Sequence, residues 1–261
     1  MKTNREKVKP WVVTSVGVSS QDPKALGDCS VAMEHTDKRF EQELSDLRAR
    51  LIQMGDVVAK KIESALRYLA QHDLGGAQTI IQDDVTVNRM DIELEETCLR
   101  LLALHQPEAS DLRLITAVMK ITTELERIGD RVVNICEAVA DIEGGDPIPT
   151  DAGVLKIGEL TTGLVRDAMQ AFSRNDNSLA KLVLEKDIEV DRLYDRALPS
   201  LLAVLEKAPD KIARDAKLAL LSKDLNEISE HATNIAEVVM FLVGRKEIMH
   251  MDVHERLSRT A

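Results

Sequence analysis

Apolar residues recur at steps of three and four along most of this chain, with charged or polar residues between them. The first stripe is Phe40, Leu44, Leu47, Leu51, Met54, Val58, Ile62, Ala65 and Leu69. At 3.6 residues per turn those side chains fall on one face, which predicts a long helix from about Asp37 to Gln71. Asp73 is an N-cap candidate for a second helix carrying Ala77, Ile80, Ile81, Val87, Met90, Leu94, Cys98, Leu101 and Leu102 and ending near Leu104. Pro107 and Ser110 open a third, through Leu114, Val118, Ile121, Leu125, Ile128, Val132, Ile135 and Val139, closed by Gly144-Gly145-Asp146-Pro147-Ile148-Pro149. Three further helices are predicted over about Asp151 to Ser173, Asp176 to Glu206 and Asp210 to Gly244, with Asp176 again an N-cap candidate.

The second set repeats the first. Glu124 to Val139 (ELERIGDRVVNICEAV) returns 100 residues later as Asp224 to Val239 (DLNEISEHATNIAEVV), matching Leu125 to Leu225, Ile128 to Ile228, Asn134 to Asn234 and Glu137 to Glu237. Upstream the offset is 103, placing Asp73 on Asp176, Ala77 on Ala180 and Asp84 on Asp187. The three-residue change falls in a loop, where a length difference is cheap. The expected fold is therefore all-α: two tandem three-helix bundles over residues 37–145 and 151–245, a linker at 146–150, a disordered extension over 1–36 and a tail at 246–261.

Composition supports this plan. Aromatic residues make up only 2% of the chain, so the cores are aliphatic, as long helices require. A formal net charge of −11 argues against a phosphate-backbone footprint, and nucleic acid is not an expected partner. Cys29, Cys98 and Cys136 have no metal-type spacing and suit a reducing cytosol. No apolar run approaches the roughly 18 residues of a membrane span. Near the N-terminus, Lys2, Arg5, Lys7 and Lys9 precede an apolar stretch from Trp11 to Val18, but no cleavage site follows. The Leu26-Gly27-Asp28-Cys29 segment has an aspartate where a lipobox needs a small residue. Met33 reads as the true start, ahead of the helical periodicity.

The candidate chemistry is a pair of polar stripes. Glu126, Asp130, Asn134 and Glu137 are spaced i, i+4, i+8 and i+11, within about 80° of helical arc. Asn226, Glu230, Asn234 and Glu237 form the counterpart, while the second helix offers Asp84 and Asn88 and the fifth Asp187 and Asp191. Carboxylates one turn apart can share a hard cation or bridge two. Spacing alone suits a solvated surface better, since the stripe lies opposite the apolar face; its recurrence at one repeat position raises the case for metal.

Glu-Arg-Ile-Gly-Asp at 126–130 and His-Ala-Thr-Asn-Ile-Ala-Glu at 231–237, within a duplicated three-helix unit, resemble the PhoU family of bacterial phosphate-uptake regulators over about Met33 to Arg245. The resemblance implies a cytoplasmic, non-catalytic homodimer that links a phosphate ABC transporter ATPase to a sensor histidine kinase and represses the phosphate-starvation response. Membrane contact would then come only through those partners. It also implies divalent or trivalent metal ions (Fe, Zn, Mn or Mg) at Glu/Asp-x-x-x-Asp motifs, carried here by Glu126 and Asp130 and next by Asp187 and Asp191. Asn226, Glu230 and Asn88 depart from that motif, and each amide removes a charge from its site.

Other readings have less to stand on. His250 and His254 have the spacing of a zinc pair but no third ligand in sequence. His231 is read as an accessory to the Glu230 stripe or a surface residue, and Arg113, Arg127 and Arg131 as solvated or as contacts for an acidic partner or phosphate. A ferritin-like oxidase wants Glu-x-x-His on two core helices, which the predicted helices do not provide. There is no phosphate-cradling glycine loop and no nucleophile elbow, so no catalysis is expected. A helical adaptor for another transporter or kinase is the alternative class.

Overall fold

The computed structural model describes residues 23–141, 153–205 and 212–244. The described residues are helical apart from short turns: α1 Pro23–Gln71, α2 Leu74–Gln82, α3 Asp84–His105, α4 Ala109–Asp141, α5 Gly153–Arg174, α6 Asn177–Leu205 and α7 Ile212–Gly244. The chain divides into two compact units, Met1–Glu41 and Gln42–Ala261; the boundary falls within α1, and α2 to α7 lie in the second. The first bundle is α1, α2 with α3, and α4; the second is α5, α6 and α7. The predicted α1 stripe from Leu44 to Leu69 is buried throughout, as are Val118, Ile121, Leu125, Ile128 and Val132 on α4.

The repeat extends to the turns. His72 and Asn175 both take the left-handed conformation, with φ of 52° and 51°. Directly after them, Asp73 N donates to Tyr68 O and Asp176 N to Ala171 O, each at 2.9 Å. Asp73 then caps α2 by accepting from Gly76 N at 3.0 Å, and Asp176 caps α6 by accepting from Ser178 N at 2.9 Å and Leu179 N at 3.0 Å. Both sequence-predicted N-caps are in place.

Two expectations are corrected. The first helix begins at Pro23, not near Asp37, so residues 23–36, expected as disordered extension, are helical. Proline suits a first helical turn, and Ala, Leu, Met and Glu sustain a helix that lacks a clean apolar stripe. The second helix is broken at Asp83, which ends α2 and begins α3. Lys61, 7% exposed on α1, holds the break: its Nζ donates to the Asp83 carbonyl at 2.6 Å and lies 3.3 Å from the Asp83 carboxylate. At offset 103 these positions are Leu164 and Lys186, and α6 runs through without interruption. The other predicted helices agree with α4 to α7 to within a few residues at each end. His250 and His254, the linker at 146–150 and residues 1–22 lie outside the described residues.

The bundles join through two antiparallel helix pairs, each a reciprocal contact between repeat-equivalent residues. In the α1/α5 pair, Gly55 faces Met169 and its equivalent Gly158 faces Leu66, itself the equivalent of Met169. Glu63 and Arg166 form an ion pair across the same contact. The second pair is α4 with α7, which positions the polar residues described next.

Candidate functional site

In the first bundle α3 and α4 bring an acidic cluster together. Glu126 is half-buried; its carboxyl is pushed up by burial and then by the charges of Asp130, Asp91 and Asp84, with Arg127 opposing. Asp91, also half-buried, is pushed up by burial and by Glu95. Asn88 donates its amide to Asp84 at 2.9 Å, leaving its own carbonyl oxygen buried without a hydrogen-bond partner. A cavity of about 130 Å³ opens beside the cluster, lined by Asp91, Glu95, Met119, Thr122, Thr123 and Glu126.

The second bundle has the same four positions with one exchange. Asp187 and Asp191 on α6 replace Asp84 and Asn88, and Asn226 and Glu230 on α7 replace Glu126 and Asp130. Each bundle thus keeps three carboxylates and one amide, but the amide has moved from the middle helix to the last. Asp187 is 3% exposed, whereas Asp191 and Glu230 are exposed. Asn226 donates to Glu230 at 3.3 Å, and its carbonyl oxygen, like that of Asn88, is buried without a hydrogen-bond partner.

The other half of each predicted stripe is used differently. Asn234 on α7 donates to Glu124 on α4 at 3.0 Å, and His231 Nδ1 lies 2.7 Å from the same carboxylate oxygen. Reciprocally, Asn134 on α4 hydrogen-bonds Asp224 on α7, and Arg131 pairs with Asp224 at 3.6 Å and Glu227 at 2.8 Å. Burial pushes the Glu124 carboxyl up, but the bonds from His231 and Asn234 and the charges of His231 and Arg127 outweigh it, and the net shift is downward. Asp224 goes the other way, burial and Glu227 prevailing over Arg131, Asn134 and Lys223. Asn134 and Asn234 therefore spend their amides on the seam between bundles. His231, expected beside Glu230, belongs to that seam too.

Glu137 is exposed on α4 and Glu237 half-buried on α7. Sequence reasoning missed Asp91 and Glu95, although Asp84, Asn88, Asp91 and Glu95 sit at i, i+4, i+7 and i+11, the kind of spacing that drew attention to α4. It also missed Glu124 as the seam's acceptor; the signal was its repeat with Asp224. Cys98 and Cys136 are free and buried, and burial pushes their thiols up to about 11 and about 12.

Among the described residues no three His, Cys, Asp or Glu side chains converge as a ready metal-binding set. The clusters nevertheless suit a hard cation chemically. Each offers oxygen donors, Glu126 and Asp91 in the first are destabilised as anions, and a buried amide oxygen in each lacks a donor. Glu126, Asp130, Asp84 and Asn88 would hold an ion in the first bundle, and Asp187, Asp191, Asn226 and Glu230 in the second. Bound there, a cation would add positive charge among the clustered carboxylates.

Among the described residues no helix is long and apolar enough to cross a membrane. Over 218 residues the chain is 37% identical to the phosphate-specific transport system accessory protein PhoU homolog of Pseudomonas putida, covering 83% of this chain and 85% of that one. The Pseudomonas aeruginosa homolog is 36% identical over 218 residues, covering 83% and 90%. The crystal structure of PhoU from Pseudomonas aeruginosa superposes with a TM-score of 0.76 at 36% identity, covering 79% of this chain and 100% of that one. The phosphate transport system regulatory protein PhoU from Streptococcus pneumoniae gives 0.74 at 26% identity, covering 81% and 100%. Residues 51–139 and 154–239, one stretch in each bundle, both match the PhoU domain, and the chain belongs to the PhoU family.

Proposed function

We propose that this chain is a non-catalytic cytoplasmic regulator of phosphate uptake and a negative regulator of the phosphate-starvation response. The observation that carries the reading is the match of both bundles, over most of the chain, to relatives named as accessory proteins of phosphate-specific transport. The chain acts by contact, as a homodimer, between the ATPase of a phosphate ABC transporter and a sensor histidine kinase. Divalent or trivalent ions (Fe, Zn, Mn or Mg) on the two acidic clusters neutralise carboxylates that otherwise repel, and so fix the surface a partner reads.

The test is a phosphatase reporter of the phosphate-starvation response in phosphate-rich medium. Deleting the gene should give constitutive expression, reversed by the full chain and not by a Glu126→Ala, Asp130→Ala variant. An unchanged reporter in the deletion strain would sink the regulatory reading. Full repression by the double variant would sink the role of the metal.

A further inference from the structure

The outward face of α3 carries an apolar seam that neither bundle uses. Val85, Ile92 and Leu99 recur every seven residues and are 69%, 55% and 52% exposed. The neighbouring seven-residue series on the same helix, Val87, Leu94 and Leu101, is buried in the first bundle. Arg89 and Glu96 stand between the exposed apolar residues and Ala103 follows them, so the six positions alternate by four and three within about 80° of arc. That is the spacing with which one helix meets another outside its own bundle. The second bundle does not repeat it: at offset 103, Asp195 takes the place of Ile92.

We propose that this seam is the interface with a second copy of the chain, two α3 helices packing antiparallel about a twofold axis at Ile92. The charges select both occupant and direction. With Ile92 opposite Ile92 of the partner subunit, Val85 falls opposite Leu99 of the partner subunit, and Arg89 falls within one residue of Glu96 of the partner subunit. By symmetry the same two pairings occur twice. Arg89 and Glu96 sit on the same edge of the seam, and the twofold brings like edges together, so each arginine meets a carboxylate. A parallel alignment would instead set Arg89 against Arg89 and Glu96 against Glu96, which is destabilising. Within the protomer Arg89 pairs with Glu93 at 3.9 Å with both side chains largely exposed, a contact weak enough to be exchanged. Three half-exposed apolar residues per protomer make a small contact, so the dimer dissociates measurably on dilution. This assignment rests on the reading of the chain as a homodimer and names the surface that makes it.

The test is sedimentation equilibrium of the full chain against Ile92→Asp, Arg89→Glu, Glu96→Arg and the double swap, with thermal melts showing that each variant folds. All three sites are on the surface, so folding should survive. Ile92→Asp should abolish the dimer, each single swap should weaken it by about tenfold or more, and the double swap should restore it. A wild-type chain that is monomeric at every concentration would overturn both the dimer and its surface. A dimer indifferent to all of these changes would leave the homodimer standing and overturn the α3 assignment. Weakening by both single swaps without rescue by the double would overturn the antiparallel register.

Discussion

Asn234 on α7 donates its side-chain amide to Glu124 on α4 across 3.0 Å, and the repeat-equivalent Asn134 returns the contact to Asp224. The seam between the bundles is thus built twice from one pattern, an amide and a cationic or cation-capable residue meeting a carboxylate: His231 serves Glu124, and Arg131 serves Asp224. Asn234→Ala should cost about 1 kcal/mol, and His231→Ala somewhat more because its partner is largely shielded. Urea denaturation of the single variants and their double would show coupling between them, since both bond one carboxylate oxygen.

The same pair sets a pH dependence. The Glu124 carboxyl titrates lower in the folded chain than in the unfolded one. Its stabilisation is therefore complete above the unfolded-state value of about 4.3 and is lost as pH falls through the lower folded value. Asp224, raised in the folded chain, contributes with the opposite sign: from about 3.9 upward its ionisation costs stability. Glu124→Gln should remove part of the acid-side loss of stability, and Asp224→Asn should steepen it. Urea midpoints measured from pH 3 to 6 test both signs, and equal slopes in all three proteins would contradict them.

Gly158 and Gly55 are equivalent in the repeat but not in tolerance. An added methyl at Gly158 would meet the branched end of Leu66, whereas at Gly55 it would lie 2.8 Å from Met169 Cε and Cγ. Methionine has rotamers to give and leucine has fewer, so Gly158→Ala should cost about 1–3 kcal/mol and Gly55→Ala less. Leu66→Ala should rescue part of the Gly158→Ala loss. Thermal melts of the four proteins would show whether it does.

These findings mark how far the sequence could be read. The stripes from Leu44 to Leu69 and from Val118 to Val139 were legible because burial on one helical face leaves a period of 3.6. Asp73 and Asp176 were legible because capping is local chemistry. The break at Asp83 was not, since the contact that Lys61 makes with it comes from α1, distant in sequence. Nor was the division of the α4 stripe, where about 80° of arc suffices to turn Glu126 toward α3 and Asn134 toward α7. A periodicity shows which face is polar but not which neighbour each polar edge meets.

Lys61 itself makes a sharp test. Its ammonium is buried against the Asp83 carbonyl, which joins α2 to α3. Lys61→Met keeps the stem's packing and removes the charge, so global stability should change by less than about 1.5 kcal/mol. The junction should loosen all the same: amide exchange over residues 83–87 should accelerate by about tenfold or more, with α6 of the other bundle unchanged as the internal control.

The acidic clusters should respond in opposite senses to loss of a carboxylate and to added metal. Without added metal, Glu126→Gln should stabilise the chain slightly, by about 0.5 kcal/mol, because it removes repulsion with Asp130 one turn away and with Asp91 across the cavity. With Mn, Zn, Fe or Mg at about a hundred times its dissociation constant, the wild-type chain should gain about 2.7 kcal/mol, and the variant markedly less. The order of the two proteins in a melting experiment should therefore reverse when metal replaces chelator. Asn226→Asp tests the second bundle in the opposite direction, since it restores a fourth carboxylate: it should destabilise the metal-free chain and raise its affinity for the ion. A melting temperature that no cation shifts in any of the three proteins would leave the clusters as a bare acidic surface.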